Sequence, residues 1–396
     1  MKLLLKLTIL CFIFFGINLA TAQRRHPIAY DSVKNIENFG RFRTVEIKGH
    51  AGMHLYTGET LTDFVQSGFG AIEARFGWQS TNPDSWVSQY GYPIYGFGVY
   101  SGFLGDPEIF GNPNALYGFI TFKTSKPYRR NTFEITPALG LTYNLNPYDE
   151  ENNPLNDAIG SPVDVYFNLN FGFSYQLTRE LDLGYGISFT HFSNGRTFVP
   201  NHGLNMLGLN VALRYHYNAD QRLIDKDPYS PNLIQARFKR SPRNKNTVLN
   251  KHSITTYVAI ATVQNYPETE GADKERYYPF SAVLDYKYQW SNMHAVTAGI
   301  DYFRDGSLHE SYPDDPGKYN LVGAHLGYDF LFWKLAIRLQ AGTYLTDDRG
   351  KKNYYLRPAL QYHINDWMHA QVGLKTRSGF RADWIEWGVG FSPFKW

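Results

Sequence analysis

Apolar and polar residues alternate with a period of two along most of this 396-residue chain, the pattern of a strand whose two faces meet different surroundings. From Val163 to Tyr175 it runs unbroken: Val163, Val165, Phe167, Leu169, Phe171, Phe173 and Tyr175 share one face, and Asp164, Tyr166, Asn168, Asn170, Gly172 and Ser174 the other. Ile72, Ala74, Phe76 and Trp78 stand against Glu73 and Arg75, and Phe280, Ala282, Leu284, Tyr286, Tyr288 and Trp290 against Ser281, Asp285, Lys287 and Gln289. Leu335, Ile337, Leu339 and Ala341 alternate with Lys334, Ala336, Arg338 and Gln340. About 16 such segments can be counted. An apolar face opposite a polar one, repeated this often, suits hydrocarbon outside and a polar lumen inside. The expected fold is therefore all-β, a transmembrane antiparallel β-barrel of about 14 to 16 strands.

The connections support this. Thr178-Arg179-Glu180, Ser291-Asn292-Met293 and Ile364-Asn365-Asp366 are tight, whereas 146–162, 305–320 and 346–353 are long, the asymmetry of short periplasmic turns and long outside loops. One connection departs from it. The stretch 219–251 is long, polar and basic around Arg237, Lys239, Arg240, Arg243 and Lys245, yet falls among the periplasmic turns. It divides the chain into 43–218 and 252–396. One large barrel with a periplasmic excursion is the expectation; an eight-stranded barrel followed by a second β unit is the alternative.

Composition adds a compartment. The 30 Tyr, 28 Phe and 8 Trp make 17% of the chain, and such side chains gather at membrane–water boundaries. Lys2 and Lys6 precede an apolar run from Leu7 to Phe15 and then Ala20-Thr21-Ala22, which predicts a signal peptide over 1–22, cleaved before Gln23. Residues 23–42 then read as a periplasmic N-terminal segment. Leu10 before Cys11 argues against lipidation there. Cys11 is the only cysteine, so a chain cleaved after it has no disulfide, thiol nucleophile or thiolate metal site. Beyond the leader no apolar run approaches the roughly 18 residues of a membrane helix. The near balance of 39 basic and 36 acidic residues gives no reason to expect nucleic acid. The expected location is the outer membrane of a Gram-negative cell.

Chemistry enters where polar residues fall on the apolar face. Leu181, Leu183, Tyr185, Ile187 and Phe189 face lipid, and the same parity carries His191 and Ser193 outward. On the next strand Leu207, Leu209, Val211, Leu213, Tyr215 and Tyr217 face outward, and parity adds Asn205. The intervening loop, 194–204, is an outside loop, so the cluster lies near the outer leaflet. A hydroxyl becomes a nucleophile when a base takes its proton and a third group holds that base. Ser193, His191 and Asn205 supply one of each. A site that opens sideways to lipid calls for an amphiphilic substrate, which in the outer leaflet is lipopolysaccharide.

The run Ser188-Phe189-Thr190-His191-Phe192-Ser193-Asn194-Gly195, followed by Pro200-Asn201-His202-Gly203-Leu204-Asn205, resembles the motif of the PagL-type lipid A 3-O-deacylases and acyloxyacyl hydrolases. That resemblance implies an eight-stranded barrel with a His, Ser and Glu triad on its lipid-facing exterior. It also implies hydrolysis of the ester-linked acyl chain at the 3 position of lipid A. His191 would be the base and Ser193 the nucleophile, with Asn194 and Gly195 near the oxyanion. No cofactor or metal is implied. Two departures stand out. Asn205 occupies the place of the Glu, so imidazolium gains less stabilisation, although outer-membrane phospholipase A resembles this chain in using His, Ser and Asn. The likeness also spans only about 44–217, leaving the second half without a counterpart in the small deacylase.

Two other readings remain at this point: a non-catalytic pore or wall protein, since about 16 strands would enclose an aqueous lumen, and a phospholipase. His202 reads as a solvated loop residue, and Asp149-Glu150-Glu151 lacks the spacing of a calcium loop. Glu73 with Arg75, and Asp285 with Lys287, are expected as lumen ion pairs.

Overall fold

The computed structural model describes residues 41–396 apart from 57, 59, 81–85, 125–130, 179, 218–249, 266–274, 310, 347–352 and 378–380. The expected signal peptide, and nearly all of the segments 23–42 and 219–251, lie outside the described residues.

Eight antiparallel strands form a first closed barrel: β1 (Arg41–His54), β2 (Phe69–Ser80), β3 (Ile94–Phe103), β4 (Gly111–Lys123), β5 (Asn131–Leu145), β6 (Asp164–Gln176), β7 (Leu181–Ser193) and β8 (Leu204–Tyr217). Closure comes from β8 pairing back on β1, with Val45 opposite Tyr215 and Gly49 opposite Val211. After the connection, β9 (Lys251–Ile260) leads to a two-stranded ribbon, β10 (Val263–Gln264) and β11 (Arg276–Tyr277). A second closed barrel is made by β9 with β12 (Phe280–Gln289), β13 (His294–Arg304), β14 (Asn320–Phe332), β15 (Leu335–Tyr344), β16 (Tyr354–His363), β17 (Met368–Arg377) and β18 (Arg381–Lys395). Here β18 closes on β9, with Val389 opposite Val258.

The single large barrel is thus corrected: the sixteen wall strands divide into two rings of eight that share no strand pairing, and the two-unit alternative describes the chain. Every edge is satisfied within its own ring, which removes the unpaired backbone that lipid will not tolerate. Among the described residues no helix is long and apolar enough to cross a membrane.

Burial follows the alternation. Ile72, Leu209, Val211 and Leu326 expose well over half of their surface to the outside, while Glu73, Arg75, Asp301 and Arg357 are buried in the lumens. An eight-stranded interior is just wide enough to be filled by side chains, and these interiors are filled by charge. In the first barrel Arg214 binds Glu46 at 2.6 Å and Glu134 at 3.0 Å, and Arg75 binds Glu73 at 2.8 Å. Tyr166, fully buried, donates its hydroxyl to Glu73 at 2.8 Å. In the second, Arg338 links Asp285 (2.6 Å) and Asp329 (3.0 Å), and Arg357 links Asp301 (2.8 Å) and Glu386 (3.2 Å). Lys287 binds Asp329 on β14 at 2.9 Å, and Asp285 is taken by Arg338 on β15 rather than by its neighbour on the strand. A buried charge is tolerable only when paired and hydrogen-bonded. Among the described residues, both lumens are lined by such pairs. At the rim of the short turns the barrels meet through aromatics. The Tyr90 ring lies 4.6 Å from Phe332, the Phe122 ring 5.7 Å from Phe330, and Trp333 N donates to the Tyr90 hydroxyl at 3.4 Å.

Candidate active site

The outward parity of β7 and β8 continues to their upper ends. Thr190 and Phe192 are buried in the lumen while His191 and Ser193 are half-exposed on the outer face, and Asn205 is half-exposed between the buried Leu204 and Met206. In the β7–β8 ladder His191 stands directly opposite Asn205. That register brings the side chains together: His191 Nδ1 lies 2.7 Å from Asn205 Oδ1. An amide oxygen only accepts, so Nδ1 carries the ring proton and Nε2 is left with its lone pair. Phe189, two residues below, stacks on the imidazole with an interplanar angle of 10°.

Ser193 lies one strand repeat above His191. Its Oγ accepts from Asn201 Nδ2 at 3.0 Å and from the Gly195 backbone N–H at 3.2 Å. Asn201 also accepts from the Asn194 backbone N–H, at 3.2 Å, so one carboxamide ties the hydroxyl to the loop that follows it. Gly203 lies against both the imidazole and the Ser193 side chain. At φ +75° it occupies the left-handed region, and a Cβ there would stand 3.0 Å from His191 Cε1 and 3.5 Å from Ser193 Cβ. Only glycine combines that backbone with that proximity.

His191, Ser193 and Asn205 therefore lie together. The two residues expected near the oxyanion divide. Gly195 N–H points at Ser193 Oγ, but the Asn194 N–H is taken by Asn201 and its side-chain oxygen accepts from Phe198 N at 3.2 Å. Asn201 was missed as a site residue although it sits inside the motif. The signal was an Asn between the hydroxyl and its partner strand, which no parity rule reaches because loops have no parity. His202 is exposed and 3.8 Å from Asp157. Asp149 Oδ1 caps the backbone N–H groups of Glu151 and Asn152 at 3.1 and 2.8 Å, a turn closed on itself. Among the described residues no group of three or more His, Cys, Asp or Glu is arranged to hold a metal.

Below the cluster the wall is apolar, with Ile187, Leu207 and Leu209 exposed on the outer face. A polar triad at the top of an apolar, lipid-facing wall can hold the head of an amphiphile against the polar groups while its chain lies along the strands.

Residues 72–214 match the family model described as lipid A 3-O-deacylase (PagL), and residues 252–396 match that described as the C-terminal domain of acyloxyacyl hydrolase. No curated protein matches the chain. Among solved structures, the outer membrane enzyme PagL is 12% identical, with 42% of this chain and 97% of that chain covered at a TM-score of 0.30. Neisserial surface protein A is 11% identical, with coverage of 45% and 97% and a TM-score of 0.29. The N-terminal barrel of Pseudomonas aeruginosa OprF is also 11% identical, with coverage of 43% and 97% and a TM-score of 0.26.

Proposed function

We propose that this chain, whose first barrel matches the lipid A 3-O-deacylase (PagL) model and whose second matches the acyloxyacyl hydrolase C-terminal domain, is a serine esterase of the outer membrane that removes an ester-linked acyl chain from lipid A. The observation that carries this reading is the His191–Asn205 hydrogen bond on the lipid-facing wall, with a serine one strand repeat away. A wall that only had to hold a barrel in lipid has no use for it.

In the proposed reaction the Ser193 hydroxyl turns from Asn201 toward His191 Nε2, which takes its proton as Oγ attacks the acyl carbonyl. Catalytic hydrogen bonds of this kind commonly tighten only when substrate is bound. Asn205 holds Nδ1–H and so the productive tautomer. The Gly195 N–H, with Asn201 Nδ2 beside it, supplies donors where the carbonyl oxygen becomes negative. Collapse expels the sugar alkoxide, which receives the proton from His191, and water attacking the acyl-serine completes hydrolysis with His191 again as base. The lipid chain leaves along Ile187, Leu207 and Leu209. Asn205 offers no negative charge to the developing imidazolium, which implies a slower turnover than a carboxylate would give.

Expression in an outer membrane containing endogenous lipopolysaccharide, followed by mass spectrometry of lipid A, tests the proposal. Loss of one acyl chain with the native chain and not with Ser193→Ala supports it; unchanged lipid A beside a folded barrel rejects it. The amide third member favours one second reading, hydrolysis of glycerophospholipid acyl chains, which activity on vesicles free of lipopolysaccharide would reveal.

A further inference from the structure

The loop between Ser193 and Asn205 is held from outside its own barrel. Gly195 (φ +63°) and Arg196 (φ +69°) both adopt left-handed backbone, which strains a residue that carries a side chain. This is also the bend that aims the Gly195 N–H at Ser193 Oγ. Strain of this kind persists only where neighbours fix it, and here they belong to the second barrel. The ribbon residue Gln264 is used twice: its backbone N–H donates to Arg196 O at 2.9 Å, and its Oε1 accepts from Val199 N at 3.2 Å. The Arg196 guanidinium, buried, donates to Ser307 Oγ at 3.1 Å and lies 3.8 Å from Asp383. Arg276 on the same ribbon sits 4.6 Å over the Phe198 ring. Ile385 of β18 presses so closely on Gly195 that a Cβ there would stand 2.4 Å from its Cγ1.

We propose that the second barrel serves the first as a clamp on this loop, with Arg196 as the central positioning residue and the β10–β11 ribbon as one jaw. The clamp holds the Gly195 N–H and Asn201 in place around Ser193, and it gives a function to a domain that the small single-barrel deacylase lacks. It rests on Ser193 as the nucleophile. Neither Arg196 nor Gln264 touches substrate. Their loss misplaces the donors rather than the binding wall, so it lowers kcat with little change in KM.

The test uses the full chain in a Cys11→Ser background. Arg196→Ala, Arg196→Lys and Gln264→Ala are compared for kcat and KM on lipid A, for the rate at which a fluorophosphonate labels Ser193, and for folding by heat-dependent gel mobility. In parallel a Thr197→Cys reporter is titrated with a maleimide. Arg196→Ala should lower kcat and the labelling rate about 10- to 100-fold, the usual cost of a small misplacement, with KM within about twofold. Arg196→Lys should recover part of this. The maleimide rate at position 197 should rise about tenfold in Arg196→Ala and in Gln264→Ala. Unchanged kcat together with unchanged maleimide rates in both variants would overturn the clamp. If Ser193→Ala itself keeps full activity, the serine reading fails, while the maleimide rates still decide whether the second barrel restrains the loop. Should Arg196→Ala not fold, Gln264→Ala carries the test alone.

Discussion

Asn205 is the member of the site whose contribution can be worked out in both directions. Its Oδ1 accepts from His191 Nδ1 at 2.7 Å, and the pair is half-exposed at the top of β7 and β8. Between two neutral groups such a bond contributes about 0.5–1.5 kcal/mol, and about 1.5–3 kcal/mol once the imidazole is charged. In the proposed reaction it is the charged form that the transition state contains. Asn205→Ala removes both the orientation and that larger interaction, so kcat should fall by about 10- to 100-fold at about 1.4 kcal/mol per factor of ten. Asn205→Asp places a carboxylate oxygen where Oδ1 now lies. A charge-assisted hydrogen bond is roughly twice as strong as a neutral one, a gain of about 1–1.5 kcal/mol on the transition state. Against it stands the cost of an acidic side chain on the lipid face, about 0–1 kcal/mol near the membrane interface. That cost falls mainly on stability. The gain falls on kcat, so Asn205→Asp should turn over about tenfold faster while unfolding at a slightly lower temperature. The assay is the time course of acyl loss from lipid A by mass spectrometry, with heat-dependent gel mobility as the check on folding. If Asn205→Ala folds and keeps the native kcat, Asn205 does not orient His191 and the triad is wrong. If Asn205→Asp folds and is slower than the native chain, the argument from missing charge is wrong although the triad survives.

Other perturbations address the parts around that pair. Gly203→Ala forces a Cβ to within 3.0 Å of His191 Cε1 at φ +75°; about 1–2 kcal/mol of strain and a displaced ring should lower kcat about tenfold, and a native rate would mean that the loop yields freely. Asn201→Ala deletes the donor 3.0 Å from Ser193 Oγ; the loss of one oxyanion donor costs about 10²-fold or more in kcat, and retention of the rate would leave Gly195 as the donor that matters. In the lumen, Arg214→Ala leaves Glu46 and Glu134 buried without the guanidinium that binds both. Breaking a buried pair from one side costs about 3–5 kcal/mol, to be read as earlier denaturant unfolding, whereas a loss under about 1 kcal/mol would show that water or Lys123 takes over.

Strand faces were legible in the sequence because parity is a local property. Leu207, Leu209, Val211, Leu213 and Tyr215 are all exposed on the outer face, and the same counting brought His191, Ser193 and Asn205 to one side of the wall before any register was known. Closure was not legible, because a strand reads the same whether its second neighbour is the next segment or one eight strands away. Whether β8 meets β1 or β9 is decided by backbone pairing, and no side chain in Leu204–Tyr217 records that choice. The expected lumen pair Glu73 and Arg75 forms at 2.8 Å, whereas Asp285 and Lys287 do not pair as expected, for a related reason. Asp285 and Lys287 are neighbours on one face of β12, but a narrow eight-stranded interior brings side chains from strands two and three places along the ring within reach, so Arg338 and Asp329 on β15 and β14 claim them instead.

Arg196 and Gln264 carry no mark of their contact in the sequence for the same reason. They are 68 positions apart in the numbering, each lies in or beside a loop where periodicity is silent, and their contact exists only because two separately closed barrels meet at the rim that carries the site. Two rings rather than one also determine what kind of protein this is. A single ring of sixteen would have placed the polar faces around water and the lipid-facing triad on one side of a pore. Two rings of eight line both lumens with paired charge among the described residues, while His191 and Ser193 stand on the outer wall. The second ring contacts the loop from Gly195 to Val199, and that is where the proposed clamp acts on the first.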